Sequence, residues 1–200
     1  VSELQLAGLV GLGGAAFPTH VKYRVPEGGK IDRLLVNGCE CEPFLTSDHR
    51  LMLERTADVV RGAEIAARQL GAKLVVFGVE HNKPDAIAAL ERAVASVASV
   101  ASVASATSIA SIAESARGGA AGHRPEMRVV ASVAAVTAVT AANTAAAGGD
   151  RPEMRVVGLA VKYPQGAEKM LIRAVWGEEV PSGKLPLDLG IVVNNVATMA

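Results

Sequence analysis

Four short segments carry residue types able to hold a charged, hydrogen-bonding ligand. In the first, Gly11, Gly13 and Gly14 fall within four positions and are followed by Phe17, Pro18 and Lys22. Glycines leave the backbone bare, so its N–H groups can approach an anion. Lys22 adds a full positive charge suited to a phosphate, and Phe17, fixed by Pro18, offers a flat face to a base or flavin ring. The segment does not follow a strand and open a helix, as a dinucleotide fingerprint does, and it lacks the Gly-Lys-Ser/Thr of a P-loop. Its plain alternative is a simple turn.

The second segment runs from Asn37 to Pro43 and places Glu40 and Glu42 beside the Asn37 amide. Carboxylates accept ribose hydroxyls, and an Asn can pair with a flavin or nicotinamide edge. The competing reading is a solvated acidic turn punctuated by Asn37-Gly38. The third segment, Lys162 to Lys169, contains Tyr163, Gly166 and Glu168 and opens a helix, whose N-terminus suits an anion. The fourth ends a strand on Asn194 and Asn195, with Thr198 close behind; these groups suit a phosphate or an isoalloxazine edge, or they cap a helix. Cys39 and Cys41 read as small buried hydrophobes. His20, His49, His81 and His123 are dispersed without metal spacing, at least three of them at the surface. No nucleophile has an obvious base and no metal-ligand cluster occurs, so no catalytic side chain and no metal ligand is assigned. Chemistry would have to come from a bound cofactor.

Alternating strands and helices position these segments. A Ser-capped helix is expected over Ser2 to Leu9, and a buried strand over Ile31 to Asn37. A long helix follows over Asp48 to Leu70, stopped by Gly71, and then a strand over Lys73 to Val79. Pro84 opens the next helix. Strands over Met154 to Val161 and Gly190 to Val193 enclose a helix over Gly166 to Val175. This order predicts an α/β fold with a mostly parallel sheet and flanking helices. Ligands of such sheets bind beyond the carboxyl ends of the strands, where the four segments fall.

Composition narrows the classes further. Two hundred residues, half of them hydrophobic, suffice for one domain with a core. Twenty basic residues balance twenty acidic ones, so no nucleic-acid or anionic-membrane footprint is visible. Two cysteines exclude a disulfide scaffold and cannot alone complete a four-ligand cluster. The N-terminus shows no signal peptide, and both ends of the chain read as cut. Residues 95–150 differ from the core expected over 1–94 and 151–200. They form an Ala/Ser/Val-rich low-complexity insertion with a Val-Ala-Ser repeat through 94–105. The string Arg124 to Val130 recurs as Arg151 to Val157, which reads as tandem duplication tolerated in a surface connection. Ser and Thr interrupt the uncharged stretch 93–113 too often for a membrane span.

Taken in order, these segments resemble the C subunit of the Rnf ion-translocating ferredoxin:NAD oxidoreductase. The strings that carry the resemblance are Gly8 through Lys22, Asn37 through Pro43, Asp48 through Met52, Lys162 through Lys169, and the stretch from Val180-Pro-Ser-Gly183 through Val193-Asn-Asn-Val196. The resemblance implies the Rossmann-like FMN/NADH-binding core of the complex I flavoprotein subunit. On it, Gly11, Gly13, Gly14 and Lys22 would hold FMN or NADH phosphates, and Phe17 would lie against the nucleotide. Asn37, Glu40 and Glu42 would face flavin and ribose, across from Tyr163, Gly166 and Glu168. Asn194, Asn195 and Thr198 would hold the phosphate side. Relative to complex I, Cys39 replaces an acidic residue and Ala167 the first of two glutamates. The family's 4Fe–4S ligand cysteines would lie beyond Ala200. The implied setting is the cytoplasmic face of the bacterial inner membrane, peripheral, with other Rnf subunits as partners. The alternatives are a cobalamin-reductase-type flavoprotein with the same core, or a non-catalytic interaction remnant.

Overall fold

Runs of apolar residues long enough for a strand but too short for a helix build the centre of the molecule. A computed structural model of the chain describes residues 2–25, 27–97 and 151–200. Among the described residues four strands form one sheet: β1 (Arg33–Gly38), β2 (Leu74–Glu80), β3 (Glu153–Leu159) and β4 (Ile191–Asn195). Their spatial order is β3-β2-β1-β4, and every pairing is parallel. Leu35 stands opposite Val76 on one side and Val193 on the other. Leu34, Leu35 and Val36 are fully buried, as are Val75 and Phe77. Such unbroken burial is expected where helices cover both faces of a parallel sheet.

Two helices provide that cover. One face carries Leu35, Val76, Ile191 and Val193, and Leu171 and Ile172 of α6 (Glu168–Trp176) seal it. The alternating residues face α4 (Thr56–Leu70), which buries Val59, Val60, Ala63, Ala66, Ala67 and Leu70 along one stripe. Burying a stripe of that kind contributes about 1.5–3 kcal/mol for each large aliphatic side chain. The described residues also contain α1 (Ser2–Leu6), α2 (Thr19–Lys22), α3 (Ser47–Glu54), helix α5 over 84–97, a 3-10 turn (Pro186–Leu189) and α7 (Val196–Met199). None of these helices is long and apolar enough to cross a membrane.

The topology decides where a ligand can enter. The chain moves from β1 outward to β2 and β3, then returns to the far side of β1 as β4. The direction of winding therefore reverses between β1 and β4. At such a switch point the connections leave in opposite directions and open a crevice beyond the strand ends.

Two expected helices are shorter than their apolar patterns. The first ends at Leu6 because Gly8 turns left-handed (φ 66°) and its amide bonds back to the Gln5 carbonyl. The long helix expected over 48–70 is two helices broken at Arg55. The Thr56 hydroxyl donates to the carbonyls of Met52 (2.5 Å) and Leu53 (3.2 Å), so a side chain takes over the end of α3. Val1–Ala95 and Arg151–Ala200 form one compact unit. The second copy of the duplicated string enters edge strand β3, while the first copy and most of the expected insertion lie outside the described residues.

Candidate functional site

A cavity of about 530 Å³ opens at the switch point, within the range of small-molecule and cofactor sites. Its polar walls come from the segments rich in ligand chemistry. The glycine loop contributes Gly11, Gly13 and Phe17, and α2 contributes Lys22. The end of β1 adds Asn37, and the loop into α6 adds Gly166 and Glu168. The end of β4 and α7 add Asn194, Asn195 and Thr198. Residues separated by more than 150 positions meet because the strands that carry them are adjacent.

Each wall is held by a specific bond. The Gly11 amide donates to the Phe17 carbonyl at 2.8 Å and closes the glycine loop. Leu12 N donates to the Thr198 hydroxyl at 3.0 Å, which ties the loop to α7 and leaves the hydroxyl hydrogen free to donate. Close packing surrounds two glycines. A Cβ on Gly13 would lie 3.3 Å from the Asn195 Cβ, and one on Gly166 would lie 2.9 Å from the Cys39 carbonyl oxygen. The Asn37 amide donates to the Gly166 carbonyl (2.8 Å), and its oxygen accepts from Cys39 N (3.0 Å). Two sides of the cavity are therefore fixed to each other through Asn37.

The charges are arranged asymmetrically. Lys22 Nζ donates to Glu168 Oε1 and to the Val193 carbonyl, both at 2.5 Å. Glu168 stands in the first turn of α6, where the helix dipole favours a negative charge. Any anion that enters shares Lys22 with this carboxylate. Asn194 is buried and donates to the Tyr23 hydroxyl. Burial pushes the Tyr23 phenol up to about 12 against the opposing effect of the Asn194 bond, so it remains neutral. Asn195 is already engaged, its amide nitrogen with Asp48 (2.7 Å) and its oxygen with Ala197 N at the start of α7. Burial raises the Asp48 carboxyl, opposed by the Asn195 bond and reinforced by the charges of Glu40 and Glu42.

The structure places the remaining expected site residues outside the cavity lining. Gly14 sits at the exposed loop tip with φ 104°, and Tyr163 is exposed. Glu42 is also exposed. Glu40 is buried, and its carboxylate accepts from the Ser47 hydroxyl and from the amides of Asp48 and His49. It caps α3 from a distance, since the N-cap residue Thr46 makes no side-chain bond. Cys39 is buried and its thiol is pushed up to about 12, first by burial and then by Glu80, which makes it unreactive. His81 is exposed, whereas His20 and His49 are half-buried, and His49 pairs with Asp85 at 2.8 Å. Among the described residues no cluster of His, Cys, Asp or Glu could hold a metal.

Motif reading missed one wall. Leu185, Pro186 and Leu187 enter and form the 3-10 turn before β4 and give the cavity an apolar side. The available signal was Pro186 just ahead of the Gly190 turn, but neither residue carries ligand chemistry of its own.

A parallel sheet with a glycine loop, a lysine and paired amides at its switch point defines a nucleotide-binding α/β domain. Within that class, the chain belongs to the Nuo51 FMN-binding domain family, whose model matches residues 4–200. It is 39% identical over 194 residues to the C subunit of the Na(+)-translocating ferredoxin:NAD(+) oxidoreductase complex of Acetobacterium woodii, covering 97% of this chain and 32% of the relative. It is 38% identical over 192 residues to the C subunit of the proton-translocating ferredoxin:NAD(+) oxidoreductase complex of Clostridium ljungdahlii, covering 96% of this chain and 30% of the relative. The chain thus spans about a third of the length of these relatives. An NAD+-reducing NiFe-hydrogenase in the H2-reduced state shares the fold with a TM-score of 0.64 at 23% identity, over 99% of this chain and 28% of that one.

Proposed function

We propose that this chain binds FMN in the switch-point cavity as part of an electron-transfer subunit of an ion-translocating ferredoxin:NAD oxidoreductase. The observation that supports it most is the meeting of Lys22, Asn37, Asn194 and Thr198 with the bare glycine backbone around one cavity. That donor set fits FMN: a cation and loop amides for a phosphate, an apolar wall for the ring, and amide groups for its edge. When bound, the flavin supplies hydride and single-electron chemistry. The residues of this chain bind and orient. Lys22 offers charge, Thr198 its hydroxyl hydrogen, and Asn37 holds the β1 and α6 walls at a set spacing. Phe17, 48% exposed at the cavity mouth, offers its face to a second nucleotide, NAD(H).

In this reading Glu42 and Tyr163, both exposed, meet NAD(H) at the rim. Electrons pass on to iron–sulfur clusters outside these residues, and other subunits of the complex dock the domain at the cytoplasmic face of the inner membrane. Titration with FMN, followed by flavin fluorescence, tests the central claim. Binding that weakens by about tenfold or more in Lys22→Ala and Gly13→Val supports it, since each change is expected to remove more than about 1.4 kcal/mol. Unchanged affinity in both folded variants would place the flavin elsewhere.

A further inference from the structure

A buried ion pair lies at the end of β2, bonded to the turn that follows β1. Glu80, the last residue of β2, is fully buried, and its Oε2 accepts from Lys83 Nζ at 2.5 Å. Lys83 is itself 6% exposed. Taking two such charges out of water costs several kcal/mol per ion, and their attraction offsets this only when the remaining lone pairs are satisfied. Among the described residues Glu80 Oε1 has no hydrogen-bond partner. An apolar pair of similar volume often serves stability as well as a buried ion pair does.

The second bond to Glu80 shows what the pair does. Oε2 also accepts from the Glu40 amide at 3.2 Å. The preceding amide, Cys39 N, is held by Asn37. Two successive N–H groups of the turn after β1 are thus fixed by side chains, one of which lines the cavity. From the same turn the Glu40 carboxylate anchors the amides of Asp48 and His49, and Asp48 in turn accepts from Asn195 on the opposite wall. The Cys39 carbonyl lies against Gly166, a third wall residue, where a Cβ would come within 2.9 Å of it. A continuous set of bonds therefore runs from Lys83 and Glu80 through Glu40 and Asp48 to Asn195, with a branch through Cys39 to Asn37 and Gly166.

We propose that Glu80, held by Lys83, is a positioning residue that sets the spacing of the Asn37, Gly166 and Asn195 walls. It touches no ligand and acts through the backbone of Cys39 and Glu40. The proposal rests on the reading of the cavity as the FMN pocket. Its physical basis is that binding groups must be held to within about half an ångström by a rigid support.

Glu80→Gln and the double variant Glu80→Leu/Lys83→Met test it in the 200-residue chain, with FMN affinity, melting temperature and amide hydrogen exchange as readouts. In the double variant the gain from an apolar pair is offset by the Glu40 amide, which loses its acceptor, so its melting temperature is expected to stay close to that of wild type. It should nevertheless bind FMN more weakly, by on the order of tenfold, with faster exchange at the amides of residues 39–41 and 195–198. Glu80→Gln should show the same changes in affinity and exchange. Exchange that stays at the wild-type rate in both variants overturns the proposal, whatever happens to FMN. Faster exchange with FMN affinity within about twofold of wild type overturns it too, since the walls would then loosen without changing the spacing that the flavin needs. If the wild-type chain itself fails to bind FMN, the cavity reading falls, and amide exchange alone then decides the role of Glu80.

Discussion

The glycine loop over 11–17 and the acidic turn over 39–42 both looked like ligand-binding segments, yet the fold uses them in opposite ways. The loop is tied down at Gly11 and Leu12 and presents Gly13 and Phe17 to the cavity. The turn faces inward. Cys39 and Glu40 are buried, and the Glu40 carboxylate bonds to three groups at the start of α3. The contrast shows that a carboxylate at a strand end is a ligand only if no helix N-terminus reaches it first. Backbone amides at a helix start are unsatisfied donors, and the nearest acceptor is drawn to them.

This comparison can be broken by mutation. Glu40→Ala is expected to have the largest effect, about 2–3 kcal/mol of stability, because a buried cap and its three bonds disappear together. Chemical denaturation checks it, and a loss below about half a kcal/mol would mean that the turn is spare. Gly166→Ala should follow at roughly 2 kcal/mol, since the added Cβ meets the backbone carbonyl of Cys39, which cannot rotate away. FMN affinity should drop with it, because Gly166 is a wall. Gly14→Ala is expected to cost about 1 kcal/mol through its left-handed backbone alone, as no described residue lies within 4 Å of the new methyl group. Glu42→Ala should change stability by less than about 0.5 kcal/mol, the usual range for a surface position. Its effect belongs in an NADH titration.

Asp48 provides the finest test because it joins the two regions. Its folded carboxyl lies above the ordinary 3.8, so the folded state binds its proton more tightly than the unfolded state does. The associated stability is present below the unfolded value and is lost as pH rises through the raised folded value. Asp48→Asn removes this titration while keeping an oxygen for Asn195. Urea melts across the carboxylate range should therefore show the stability of wild type relative to the variant falling as pH rises, then levelling off. A flat difference would mean that Asp48 is not buried as described.

Much of the architecture was legible in the chain. Short apolar runs bounded by turn residues marked the four strands within about two positions; β1, β2 and β4 are buried along most of their length, as parallel strands covered on both faces are, whereas edge strand β3 is largely half-buried or exposed. Helix ends were less legible. Gly8 and Thr56 cut two helices through a left-handed turn and a side-chain bond, neither of which changes the apolar pattern that suggested longer helices. Within the site, Gly11, Gly13, Lys22, Asn194 and Thr198 reach the cavity from segments whose chemistry stood out. Leu185 to Leu187 did not stand out, since an apolar wall has no chemistry to announce it.

By itself the sequence determined which groups were available: a bare glycine loop, one cation near it, paired amides at a strand end, and carboxylates near two turns. Tertiary structure decided which of them face the ligand space. Residue type and spacing are local properties, whereas the direction of a side chain depends on what packs behind it. Lys22 meets Glu168 because two helix ends converge over one strand, and Glu40 turns inward because α3 begins beside it. The buried pair of Glu80 and Lys83 is the clearest case. In the sequence they are an ordinary acid and an ordinary lysine near a proline, and only the burial of β2 between its neighbours gives them their bonds.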